Sequence, residues 1–179
     1  MNEPLEIVPY DPQWRGAYSA ERNRIAEALG ALAVRIEHNG STSVPGLAAK
    51  PIIDIQVSVR QLHPTDTYGA LLQRLGYIHH PHPDDSFCPF FHKPATWPHT
   101  HHVHVVESGG AEERRTLAFR DYLREHPDVA REYEDLKREL AARYGAAGAA
   151  SREAYAEAKT PFVTNVTERA LEEGYPYTF

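Results

Sequence analysis

The run Ile52-Ile53-Asp54-Ile55-Gln56-Val57-Ser58-Val59 constrains the fold more than any other part of the chain. Its β-branched residues favour an extended backbone. Period-two geometry then sends Ile53, Ile55, Val57 and Val59 to one face and Ile52, Asp54, Gln56 and Ser58 to the other. The first face requires an apolar partner. The second carries a carboxylate in mid-strand, an expensive placement unless the group is paired or holds a cation. A fold for this sequence therefore needs a sheet that buries one side and satisfies Asp54 on the other.

The flanking segments supply that sheet and its cover. After a short extended start, Leu5 to Val8, Asp11 and Pro12 read as a cap and first helical residue, with Trp14, Tyr18, Ile25 and Leu29 on one helical stripe. Ala33 to Glu37 predicts a brief strand leading into the polar loop His38 to Gly46. A short helix is expected from about Thr65 to Leu75, stopped by Gly76. From Tyr77 to His99 the prolines Pro81, Pro83, Pro89, Pro94 and Pro98 fit edge strands and loops. Thr100 to Glu107 predicts another strand, with Val103 and Val105 against the core and His102 and His104 on the opposite, open surface.

Beyond Gly110 the pattern turns helical. Ala111 to Arg124 predicts one helix, ended by His126-Pro127, and Val129, Tyr133, Leu136 and Leu140 mark a second. Gly145 to Ala150 reads as a break. Ser151 is expected to cap a third helix carrying Tyr155, Phe162 and Val166, kinked or restarted at Pro161. The class is α+β: a mixed sheet packed by helices, then a helical C-terminal layer. A chain of 179 residues fits one domain over 1–179, its mixed part at about 1–110 and its helical part at about 111–179.

Composition narrows the function classes. The 19 Lys plus Arg are outnumbered by 25 Asp plus Glu, which argues against a dedicated duplex nucleic-acid binder. The single cysteine, Cys88, excludes an internal disulfide or a multi-cysteine zinc site. No apolar run approaches the roughly 20 residues that span a bilayer, so no membrane association is expected. Met1-Asn2-Glu3-Pro4 lacks a basic start and apolar stretch, and a cytoplasmic location is the expectation.

Three elements can carry chemistry. In the loop, Gly40, Ser41, Thr42 and Ser43 combine close backbone approach with hydroxyls suited to phosphate oxygens, although such pairs are more often plain turns. On the central strand Asp54 and Gln56 share a face, as a carboxylate and an amide oxygen that would hold a divalent metal; satisfaction of a buried Asp54 by loop N–H groups is the alternative. His102 and His104 share a face of the later strand, within a region that holds eight of the eleven histidines, and with Asp54 they would suit a transition metal. A solvated polar face is the alternative there. Lys50, Arg120, Arg124, Lys137 and Lys159 are candidate phosphate ligands, and Tyr133 and Tyr155 are core residues or stacking platforms.

These residues together resemble the GrpB-like family, assigned to the nucleotidyltransferase superfamily whose best-known fold relative is DNA polymerase beta. The resemblance covers nearly the whole chain. It is carried by Tyr10-Asp11-Pro12-Gln13-Trp14, by His38 to Leu47 running on to Lys50-Pro51-Ile52-Ile53-Asp54-Ile55, by His101 to Val106, and by Phe119 to Arg124 before Pro127; Tyr133, Leu136-Lys137, Tyr155 and Lys159 complete it. It implies a Gly-Ser turn at Gly40 and Ser41 holding nucleotide phosphates, Asp54 as the first metal-binding acid, Gln56 at the second acid position, and His102 or His104 where a third acid would stand. It implies a metal-dependent nucleotidyltransferase acting on a nucleotide and a small-molecule acceptor, with magnesium, manganese or zinc as cofactor. Asp54, Gln56 and His104 are its catalytic candidates, and Lys50, Arg120, Lys137 and Lys159 its phosphate ligands.

A similar domain is joined to dephospho-CoA kinase in some bacteria, which by association suggests nucleotide or coenzyme A metabolism. The alternatives are a non-catalytic nucleotide- or CoA-related binding module that has lost superfamily acids, favoured by Gln56, and a histidine-triad-like nucleotide hydrolase, suggested by His102-Val103-His104-Val105-Val106.

Overall fold

The computed structural model describes residues 5–145 and 148–177. Helix α1 (Gln13–Leu29) begins one residue beyond Pro12, which takes the cap position expected of Asp11, while Asp11 Oδ1 accepts the Gln13 N–H at 2.8 Å. Trp14, Ile25 and Leu29 are buried on its inner face, and the Tyr18 hydroxyl donates to the Ile36 carbonyl at 2.9 Å. Strand β1 (Ala33–Asn39) runs two residues further than the sequence pattern indicates, because His38 and Asn39 continue the antiparallel ladder with β2 (Ile53–Val59).

Helix α2 (Asp66–Arg74), β3 (Ile78–His79) and β4 (Phe90–Lys93) lie in the chain between β2 and β5 (His101–Glu107). The sheet order is β1-β2-β5-β4-β3. Strands β2 and β5 pair in parallel, while β4 is antiparallel to both its neighbours. The proline-rich segment occupies the β3–β4 side of the sheet, as its missing N–H groups require.

One face of the sheet carries the expected apolar set. Ile55, Val57, Val103 and Val105 have no exposed surface and pack with Ile25, Leu29, Tyr68 and Leu72. Burial of each such aliphatic side chain contributes about 1.5–3 kcal/mol.

The other face departs from expectation. It is covered, because α3 (Ala111–Glu125), α4 (Pro127–Tyr144) and α5 (Ala149–Glu172) form a helical layer around Ala118, Tyr122, Tyr133, Val166 and Ala170. Gln56, Ser58 and Val106 on that face are fully buried. Glu113 of α3 accepts the Ser58 hydroxyl, which seats the helix on the sheet.

Two further expectations change in α5. The helix starts at Ala149, so Ser151 lies in its first turn and is not its cap. It also continues through Pro161: burial of Tyr155 on one side and Val166 and Ala170 on the other holds both halves in place despite the lost backbone donor. Of the predicted break, Ala146 and Ala147 lie outside the described residues.

Candidate functional site

Parallel register places Asp54 opposite His102 and Gln56 opposite His104. Both imidazoles thus turn to one carboxylate oxygen: Asp54 Oδ1 is 3.2 Å from His102 Nδ1 and 3.8 Å from His104 Nε2. One ligand atom from each residue lies within 4.8 Å of the others, the one such cluster of three among the described residues. Burial alone would push the Asp54 carboxyl up, but hydrogen bonds and positive charge from the two histidines outweigh it and hold Asp54 well below the usual carboxylate range. Burial pushes both imidazoles down. At His104, Asp54 and the Cys88 thiol, 3.9 Å from Nδ1, reverse the effect and raise it to about 10, whereas His102 stays below its ordinary value.

The loop after β1 fits against this carboxylate. Gly40 has φ 65°, and a Cβ there would lie 2.9 Å from Asp54 Cβ and Cγ, so only glycine permits the approach. Ser43 turns its hydroxyl back onto the Gly40 carbonyl at 2.6 Å, and Thr42 Oγ1 meets His38 Nε2 at 3.0 Å. These contacts commit both hydroxyls within the turn, whereas Ser41 lines the open space beyond.

That space is a cavity of about 620 Å³ with Asp54, His102 and His104 on its wall. Lys50, Lys137 and Lys159 line it too, brought together from the approach to β2 and from α4 and α5. Lys50 and Lys159 lie 5.1 and 4.6 Å from the centroid of the Tyr155 ring, and Lys137 is 4.9 Å from that of Tyr133. Lys137 also donates to the Ala48 carbonyl. Burial, reinforced by Lys159 at Lys137 and by Lys50 at Lys159, lowers both of these lysines to about 7. Two buried polar atoms of lining residues, Tyr155 Oη and Gln56 Nε2, have no hydrogen-bond partner among the described residues. Clustered cations with unmet donors suit an anionic, oxygen-rich ligand.

The predicted site residues separate into three groups. Asp54, His102, His104, Gly40, Ser41, Lys50, Lys137 and Lys159 converge on the cavity, and Thr42 reaches its wall with its hydroxyl already engaged. Gln56 lines it, but Oε1 faces Asn39 Nδ2 at 3.1 Å and the Thr116 hydroxyl at 2.5 Å, which draws that oxygen away from a metal.

Arg120 and Ser43 are not lining residues. Arg120 bonds Glu37 at 2.8 Å, the His38 carbonyl at 3.1 Å and Asp121 at 2.7 Å, and Arg124 donates to the Ser43 carbonyl at 2.9 and 3.1 Å. These arginines brace the β1 end and the loop rather than facing a ligand.

Tyr133 and Tyr155 are core residues that also line the cavity. Sequence reasoning missed Cys88, Phe90, Glu112, Arg115 and Thr116 as lining groups. They come from the proline-rich segment and from polar positions of α3, where no periodicity marks them. Among the clustered histidines, His79 and His82 pair with Asp85 and Asp84 at 3.0 and 3.3 Å.

The donor set suits a divalent transition metal: two imidazoles and one carboxylate leave coordination positions open, and the 3.2 and 3.8 Å from Asp54 Oδ1 to the two rings approach the roughly 3–3.4 Å between neighbouring ligands around an ion with bonds of about 2.1 Å. A mixed sheet with one face covered by a helical layer places the chain among the α+β proteins. Residues 4–169 match the family described as GrpB protein, and the chain belongs to that family. A GrpB protein from Enterococcus faecalis has the same fold, with TM-score 0.82 and 34% identity over 94% of this chain and 98% of that one. A UPF0157 protein of Pseudomonas aeruginosa is 41% identical over 173 residues, 95% of this chain and 69% of the relative. A dephospho-CoA kinase of Mycolicibacterium paratuberculosis is 30% identical over 94% of this chain, which spans 46% of the kinase. Among the described residues no helix is long and apolar enough to cross a membrane.

Proposed function

We propose that the protein binds a nucleoside triphosphate together with a divalent metal ion and transfers the nucleotidyl group to a small acceptor, the α–β phosphoanhydride bond breaking to release pyrophosphate. The observation that carries this reading is the sharing of one cavity by Asp54, His102 and His104 with three lysines. Asp54, His102 and His104 would hold the ion. Bound there, a divalent ion supplies Lewis-acid stabilisation of charge on phosphoryl oxygens.

Lys50, Lys137 and Lys159 neutralise the phosphate chain, and Tyr155 Oη and Gln56 Nε2 offer donors to its oxygens. Ser41 and the Gly40 backbone border the same space, and Tyr133 and Tyr155 of α4 and α5 help wall it off from water. The kinship with dephospho-CoA kinases is consistent with a nucleotide-type ligand. Calorimetric titration of nucleoside triphosphates with and without metal, into the parent and Asp54→Ala, tests the reading; equal binding by both proteins would overturn it.

One observation favours a second reading, a nucleotide- or CoA-related binding module without turnover. Among the described residues Asp54 is the one carboxylate that β2 and β5 contribute to the cavity, because the neighbouring position holds Gln56. This reading expects triphosphate binding that is indifferent to metal.

A further inference from the structure

His99 lies outside every role assigned so far. It stands just before β5, and its Nδ1 is 3.0 Å from His102 Nε2, the ring nitrogen opposite the one that faces Asp54. Its ring is held on two sides. His92 stacks on it with centroids 4.0 Å apart and planes 11° apart, and Trp97 meets it edge-on at 5.3 Å. His92 is itself buried and anchored through Nδ1 to the Pro94 carbonyl at 3.1 Å. The Thr100 N–H closes the hairpin onto the Lys93 carbonyl at 2.8 Å, which fixes the backbone carrying His99.

We infer that His99 is a positioning residue for the metal centre: by accepting the Nε2–H of His102 it lets Nδ1 of that ring bind an ion in place of the hydrogen bond that Nδ1 gives Asp54. Two ring nitrogens 3.0 Å apart require one hydrogen between them. If His102 is to offer Nδ1 as a ligand, that hydrogen belongs to His102 Nε2, and His99 must accept it. A second hydrogen bond of this kind sets the tautomer, orientation and basicity of a metal-binding imidazole, and its loss costs about 10–100-fold in affinity. Without it the Nε2 side of His102 loses the partner that selects its tautomer, and Phe90 and the Asp54 contact are left to hold the ring.

The inference rests on the metal reading of Asp54, His102 and His104, and two variants separate an acceptor role from a packing role. His99→Phe keeps a ring against His92 and removes the acceptor. His99→Gln loses the stack and keeps an acceptor oxygen. Cobalt(II) is titrated into each full-length protein and followed by its visible absorption, with zinc affinity measured by displacement.

The expected result is a fall of about 10–100-fold in affinity and an altered cobalt spectrum for His99→Phe, with His99→Gln within about threefold of the parent. Parent-like binding by His99→Phe, or weakening only in His99→Gln, would assign His99 to packing and overturn the inference while leaving the metal site intact. A parent that binds no cobalt or zinc would overturn the metal reading, and this inference with it.

Discussion

At the scale of single residues, the site combines groups that a folded core normally excludes. Tyr155 is fully buried, yet its hydroxyl lacks a partner among the described residues and its ring lies beneath Lys50 and Lys159. An unsatisfied buried hydroxyl costs about 1–3 kcal/mol, which a bound phosphate oxygen would recover. Tyr155→Phe is therefore expected to leave thermal stability unchanged or raised while weakening triphosphate binding about tenfold, measured by melting and titration of the same preparation. A fall in stability with unchanged binding would show that the hydroxyl serves the fold alone. Asp54 illustrates how much was legible at this scale: a carboxylate in an apolar strand announces a partner by its cost alone. The identity of that partner was only half legible, since period two put His102 and His104 on one face but said nothing of which strand lay alongside.

At the scale of elements, the parallel pairing of β2 and β5 brings the histidines to Asp54, and helices bring the lysines. Runs of alternating Ile and Val revealed both strands from local pattern. Strand order and the covering of the polar face depend on contacts between distant segments, so the helical layer read as a neighbour and proved to be a roof. Arg120 marks the same limit: composition offers it as a phosphate ligand, whereas the fold spends its guanidinium on Glu37, Asp121 and the His38 carbonyl.

Arg120→Ala strands these partners around the β1 end. It is expected to destabilise the protein by about 2–3 kcal/mol, below the usual 3–5 for a broken buried pair because the Glu37 side chain is 34% exposed. Triphosphate affinity of the folded fraction should stay within about threefold of the parent. Chemical denaturation alongside titration checks both; a large loss of affinity with unchanged stability would return Arg120 to the ligand.

At the scale of the whole molecule, three lysines held in a covered cavity link charge, stability and binding. Lys137 and Lys159 are lowered to about 7 by burial and by neighbouring lysines, Lys159 at Lys137 and Lys50 at Lys159, against an ordinary 10.5. Between pH 7 and 10 the unfolded chain keeps protons on these two side chains that the folded chain releases, so their contribution makes stability rise with pH across that window and level off below it. An anionic ligand reverses the balance by drawing protons back. Triphosphate binding near pH 8 should then proceed with net proton uptake and weaken toward pH 9, and titration in buffers of different ionisation enthalpy measures the uptake directly. Lys159→Met should reduce it. Binding without proton exchange would show that the lysines do not meet the ligand.

The most direct single measurement is calorimetric titration of the nucleoside triphosphates, each with magnesium, manganese or zinc and without metal, into the parent, Asp54→Ala and Lys159→Met. The expected result is metal-dependent binding by the parent, loss of the metal dependence in Asp54→Ala, and affinity about 10–100-fold weaker in Lys159→Met, as befits a charge-assisted hydrogen bond to phosphate. Triphosphate binding that ignores both the metal and these two substitutions, or no binding by a folded parent under any of the metals, would contradict the assignment of this cavity to a metal–nucleotide complex.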